Sequence, residues 1–344
     1  MCQRVNYRFV FTPAELLQLS VPDMKTKTLL PVLLFVAGAA ETCMGAPMLA
    51  VVARGDGTVN LYKSPSLQLI KAIPAGKRPS EICVAPNGKL LFVAQPTDKA
   101  IGVIDLATQA VIGSMTDAEL KNPDGCAVSP DSSKMAIVDA GIDKLYIFAT
   151  ESRQLLFKIA VGKQPRRAIF TRDGKTVVVS NAHADSLSVI DVASGKVART
   201  VKTGKEPREL MWTPDGKFLL VSLINDDSIA YFKGDTLEFD QQVGTERSPQ
   251  RMAITPDGET LFSLSRFMNA VTVMDLSKGG DRRVVSSIPV GKYAFNMAMS
   301  DDGKYIFTGH TILDNTLSVI DVRLMKVINT IQAGKDTGAM IYIK

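Results

Sequence analysis

Residues 249–264 read PQRMAITPDGETLFSL, and the chain writes close variants of this stretch five more times. PSEICVAPNGKLLFVA begins at Pro79, PDGCAVSPDSSKMAIVD at Pro123, PRRAIFTRDGKTVVVS at Pro165, PRELMWTPDGKFLLVS at Pro207 and AFNMAMSDDGKYIFTG at Ala294. In each, an apolar run meets a turn such as Pro256-Asp257-Gly258 and a second apolar run follows. Proline presets φ for such a turn, aspartate caps it and glycine supplies positive φ, so each stretch predicts a hairpin between two strands.

The starting positions are separated by 44, 42, 42, 42 and 45 residues, a fixed period in the range of four-stranded propeller blades. A third strand follows each hairpin, as in IGVIDL at Ile101 or LSVIDV at Leu187 and again at Leu317, with the alternation of a half-buried strand. A fourth, such as KVARTVKTG or KVINTIQAG, closes on Gly204 or Gly334. The segment 47–78 holds three strands and lacks the innermost one, whereas GAMIYI from Gly338 to Ile343 is an innermost strand without a blade. Joining them predicts a seventh blade built from both ends, which removes two open sheet edges. Residues 47–344 divided by seven give about 42.6 per blade, matching the period. The expected fold is all-β, a seven-bladed β-propeller of four-stranded antiparallel blades.

These units resemble the YVTN repeat family of bacterial and archaeal propellers, and its exported YncE-like group in particular. The motifs that carry the likeness are PQRMAITPDGETLFSL and NTLSVIDV. They are turn and strand residues, so the resemblance implies a fold and leaves function open. Three positions depart from the repeat: Ala149 replaces the aspartate of the third strand, blade 5 has Tyr231-Phe232-Lys233 there, and blade 7 opens on Ala294 instead of proline.

Ahead of the repeats, MKTKTLLPVLLFVAGAAETCMGAP from Met24 has two lysines, an apolar stretch and then small residues, the order of a secretory signal peptide. Residues 1–46 are therefore expected to be an N-terminal extension and signal, with Met24 the true start and cleavage after Ala39, Ala40 or Ala46. The propeller is expected over 47–344, in the periplasm or outside the cell, as a monomer with no transmembrane segment once the signal is removed: the apolar run 29–40 is too short to span a bilayer as a helix. Cys43 follows Ala40-Glu41-Thr42, a poor match to a lipid-attachment site. Cys83 and Cys126 fall on equivalent strands of neighbouring repeats, one position out of step. Packed sheets lie about 10 Å apart, farther than a disulfide spans, so two buried free thiols are expected.

Forty Lys plus Arg against 35 Asp plus Glu, spread along the chain, do not point to nucleic acid as an obligatory partner. The lysines of the recurring Gly-Lys pairs read as solvated turn residues. Two histidines and no Cys-x-x-Cys pair leave a structural zinc cluster, a redox dithiol or a covalent c-type haem without ligands. No metal and no cofactor is expected.

In a propeller, the loop leading into the innermost strand and the loop between the second and third strands rim one mouth of the central channel, where all blades converge. Blades 4, 5 and 6 place Arg166, Arg167, Arg208 and Arg251 there, and blades 2, 3 and 5 place Glu81, Asp124 and Glu209. Guanidinium forks suit carboxylate or phosphate, so a small anionic ligand or an acidic protein partner at the channel face is expected. The competing expectation is mutual neutralisation, with Arg208 beside Glu209 and the remaining arginines on Glu81, Asp124 or Glu206. His183 and His310 are expected on the same face and complete the candidate ligand-binding set. A non-catalytic binding or scaffold module needs no further group. The alternatives are a propeller lactonase or lyase using a histidine for proton transfer, or a propeller subunit of a periplasmic oxidoreductase complex.

Overall fold

A computed structural model describes residues 46–277, 282–311 and 314–344. Residues 24–45, which carry the expected export signal, lie outside the described residues. The rest folds into seven four-stranded antiparallel sheets. Two single turns of 3-10 helix, Ala182–Ala184 and Ile224–Asp226, are the helical elements among the described residues.

The expected closure is present. Strand Met48–Ala53 pairs on one side with Thr58–Lys63 and on the other with the C-terminal strand Thr337–Ile343, Leu49 facing Tyr342 and Met48 facing Ile343. Blade 1 is thus assembled from both ends, and blades 2 to 7 follow in chain order.

The core lies between blades rather than within one centre. Seven apolar clusters fill the seams, for example Ala136, Val138 and Ile147 of blade 3 against Phe170, Val177 and Val179 of blade 4. Each fully buried side chain of this kind contributes about 1.5–3 kcal/mol, so the seams are the main source of stability. The outermost strands, such as Lys196–Lys202, are exposed along most of their length.

Loops at the channel face are fastened to both blades they join. Backbone N–H groups of Lys77, Lys205, Lys292 and Lys335 donate to Asp98, Asp226, Asp314 and Asp56 at 2.7–2.8 Å, each aspartate standing in the loop between second and third strands. After Lys205, Lys292 and Lys335 the adjacent N–H reaches back to the preceding blade, Glu206 to Asp185 at 2.9 Å, Tyr293 to Asn269 at 2.8 Å and Asp336 to Asn315 at 2.7 Å. The Gly-Lys pairs therefore recur for a structural reason. At Gly204 a Cβ would lie 2.3 Å from Asp226 Oδ2, so only glycine lets the loop approach.

The structure corrects the reading of the cysteines. Cys83 and Cys126 form a disulfide, with Cα atoms 5.9 Å apart. Both sit on innermost strands, Ile82–Val84 and Pro123–Val128. Blades splay like wedges from the axis, so the inner edges of neighbouring sheets come far closer than the sheet-to-sheet spacing used in the sequence argument.

Candidate functional site

The innermost strands begin with an irregularity that builds the channel mouth. In blade 4, Pro165 faces Asn181 and Arg167 faces Ser180, so Arg166 is an extra residue in the ladder; Gln250 and Phe295 are the extras in blades 6 and 7. A β-bulge of this kind re-aims side chains. Two layers result, one from the bulge residues Arg166, Arg208 and Phe295, the next from Glu81, Arg167, Glu209, Arg251 and Asn296.

The second layer is a closed ring of charge across the axis. Glu81 Oε2 lies 2.7 Å from Arg167 Nη2 and 2.7 Å from Arg251 Nη2. Glu209 Oε2 accepts from Arg167 Nε at 3.1 Å and from Arg251 Nη1 at 2.8 Å. Arg251 Nε also donates to Asn296 Oδ1 at 2.8 Å. Blades 2, 4, 5, 6 and 7 are thereby tied together. Burial opposes the charge on Glu81, but Arg167, Arg251 and Arg54 outweigh it and hold the carboxyl below the usual carboxylate range. Burial likewise works against Arg167, and Glu81 and Glu209 more than compensate, raising its pKa.

Mutual neutralisation is therefore real for Arg167 and Arg251, and Arg166 lies 3.4 Å from Asp124. It does not extend to Arg208, because Glu209 turns to the ring instead. Among the described residues Arg208 makes no ion pair; its guanidinium lies over the Phe295 ring, 5.8 Å from the centroid. Burial, then Arg167, Arg166 and Arg251, pull its pKa down to about 10, with Asp124 opposing. Two further arginines cover the same ring, Arg54 at 5.0 Å and Arg266 at 5.2 Å. Arg54 fits because blade 1 has Gly338 at the bulge position that Phe295 holds in blade 7, where a Cβ would stand 3.0 Å from its Nε. Arg54 has a distant partner in Asp336 at 3.9 Å. Unpartnered buried donors accompany the collar, among them Asn296 Nδ2 and Arg54 Nε.

The two histidines are not brought together. His183 is exposed in the Ala182–Ala184 turn of blade 4. His310, expected on the rim, is fully buried in blade 7. Its Nε2 accepts from Gly291 N–H and lies 3.2 Å from Thr308 Oγ1, while Nδ1 faces Thr316 Oγ1 at 2.8 Å. Burial lowers its pKa to about 4, so it is neutral at pH 7 and serves as a strut. Among the described residues no group of three His, Cys, Asp or Glu side chains could hold a metal ion. Sequence reasoning missed Arg54, Arg266 and Phe295 as partners; two of them sit in the loops between second and third strands, whose residues the repeat pattern does not align by type.

Residues 126–280 match a family model described as YNCE-like beta-propeller. That match is consistent with a YncE-like propeller family, and the seven four-stranded sheets make the fold a seven-bladed β-propeller. No protein of curated function matches it. Among solved structures, this propeller is similar to hydrazine synthase of Kuenenia stuttgartiensis, at 19% identity and TM-score 0.70, covering 80% of this chain and 92% of that one. It is also similar to a functionally unknown protein from Desulfotomaculum acetoxidans DSM 771, at 15% identity and TM-score 0.76, covering 86% and 98%. At these identities the likeness concerns the fold alone.

Proposed function

We propose that the protein is an exported, non-catalytic binding propeller whose channel face holds a carboxylate- or phosphate-bearing ligand or partner on the collar of Arg54, Arg208 and Arg266 around Phe295. The observation that carries this reading is Arg208, a largely buried guanidinium without an ion-pair partner among the described residues and surrounded by other guanidiniums. Such a group is costly to keep unless an anion meets it. Export is supported by the lysine, apolar and small-residue order from Met24 and by the disulfide, which persists in oxidising compartments.

The enzyme alternative needs a proton-transfer group beside the collar. His310 has both ring nitrogens engaged away from it, which favours the binding reading. Thermal unfolding of the protein with citrate, inorganic phosphate or neutral sugars tests the proposal, since a ligand of the folded state raises Tm by mass action. A rise with citrate or phosphate that vanishes in the R208A/R266A variant is expected. No rise with either anion, or an equal rise in the variant, overturns it.

A further inference from the structure

Blade 6 departs from the repeat at the channel face in a way of its own. Blades 1, 2, 5 and 7 place Asp56, Asp98, Asp226 and Asp314 in the loop between second and third strands, each fastening the N–H of a lysine. Blades 3 and 4 have the half-buried Ile142 and the small Ala184 at the equivalent position and keep the lysine, as Lys121 and Lys163, whereas blade 6 has Met268, preceded by Arg266 and Phe267, and its lysine position is Arg247. Phe267 is 62% exposed and Met268 53%, and Tyr293 of the next loop is 44% exposed. Large apolar side chains here serve no seam of the core.

These residues continue the collar outward. Arg266 lies over Phe295 at 5.2 Å and over Phe267 at 5.9 Å, and Arg247 lies over Phe267 at 5.8 Å. Arg208, Phe295, Arg266, Phe267 and Arg247 thus form an alternating track of cation and ring from the axis to the rim of blade 6. Among the described residues Arg208, Arg247 and Arg266 make no ion pairs, so the track is positive as well as aromatic. Arginine, aromatic residues and methionine are the types enriched where proteins bind proteins.

Resting on the binding role proposed above, we infer that the occupant of this track is an extended protein segment carrying both carboxylates and at least one aromatic side chain, its acidic groups on the arginines and its ring against Phe267 and Met268. Charge complementarity requires the carboxylates. The linear course from exposed rim to half-buried Phe295 suits a single extended chain better than a flat lipid surface.

The test uses two fluorescent decapeptides, one all glutamate and one in which two glutamates are replaced by phenylalanine, with anisotropy as the readout. The phenylalanine peptide is expected to bind about 10-fold tighter. F267S/M268S should reduce it to the level of the all-glutamate peptide while the Tm rise with citrate persists, and R208A/R266A should weaken both. Equal affinity of the two peptides, no effect of F267S/M268S, or no peptide binding alongside a retained citrate response overturns the inference and leaves the anion site standing. Tighter, Phe267-dependent binding of phosphatidylglycerol vesicles or a thymidine oligonucleotide also overturns it. Loss of the citrate response in the unaltered protein removes the underlying site as well.

Discussion

Glu81 Oε2 lies 2.7 Å from Nη2 of Arg251, 170 residues further along the chain. The two come from blades 2 and 6, so the contact fixes the ring across its axis, where seams between neighbouring blades do not reach. Arg251 has a second carboxylate in Glu209, which limits the damage when one partner is lost.

Glu81→Gln leaves Arg167 and Arg251 with one carboxylate between them in a nearly dry site. A loss of about 3 kcal/mol in unfolding free energy is expected. Urea unfolding of the variant beside the parent measures it, and a change within error would mean that the ring is not a structural element.

Acid should reveal the same group. The folded-state pKa of Glu81 is held below its unfolded value by the guanidiniums, so its contribution is present above the unfolded pKa and is lost as pH falls through the folded one. Stability of the parent protein should fall as pH drops below about 4, and E81Q should show a shallower decline. Parallel curves from melts across this pH range would contradict the assignment.

Arg208 makes the opposite prediction. Its folded-state pKa, about 10, lies below the ordinary value, so the charged form costs stability at neutral pH and the cost fades only as pH rises past it. R208A should therefore be as stable as the parent or more so, by about 0.5–1 kcal/mol, while losing the citrate response. A variant that is strongly destabilised would make Arg208 a structural residue.

The disulfide joins residues 43 apart. Closing a loop of that length restricts the unfolded chain by about 3–4 kcal/mol in the entropy account. Thiol alkylation without reductant should leave Cys83 and Cys126 unmodified, and C83S/C126S should melt lower by several degrees. Free alkylation of both in the native oxidised protein would restore the two-thiol reading.

The fold was legible because the repeat is written in turn residues. Pro, Asp and Gly of Pro256-Asp257-Gly258 have local reasons to be where they are, so they survive in unit after unit and reveal the period. Arg167, Arg251, Glu81 and Glu209 were legible as a set because they occupy one column of that repeat. Their partners were not, since which arginine meets which glutamate across an axis depends on bulges and side-chain reach. Cys83 and Cys126 were misread by applying an average sheet spacing to the narrow inner edge of two wedges. Met268 carried a usable signal, a methionine where Asp98 and Asp226 mark the fold's own preference, visible only once the loops are aligned with the structure.

The pairing of Met48–Ala53 with Thr337–Ile343 also sets an order of events. A chain made from its N-terminus produces the outer three strands of blade 1 first and their inner neighbour last. Until that last strand arrives, six blades can stack but the circle stays a broken horseshoe, with the edge of Met48–Ala53 unpaired. The Glu81 to Arg251 contact spans that unfinished arc, so the axial ring of charge is expected to lock only after the final strand has drawn the two ends into place.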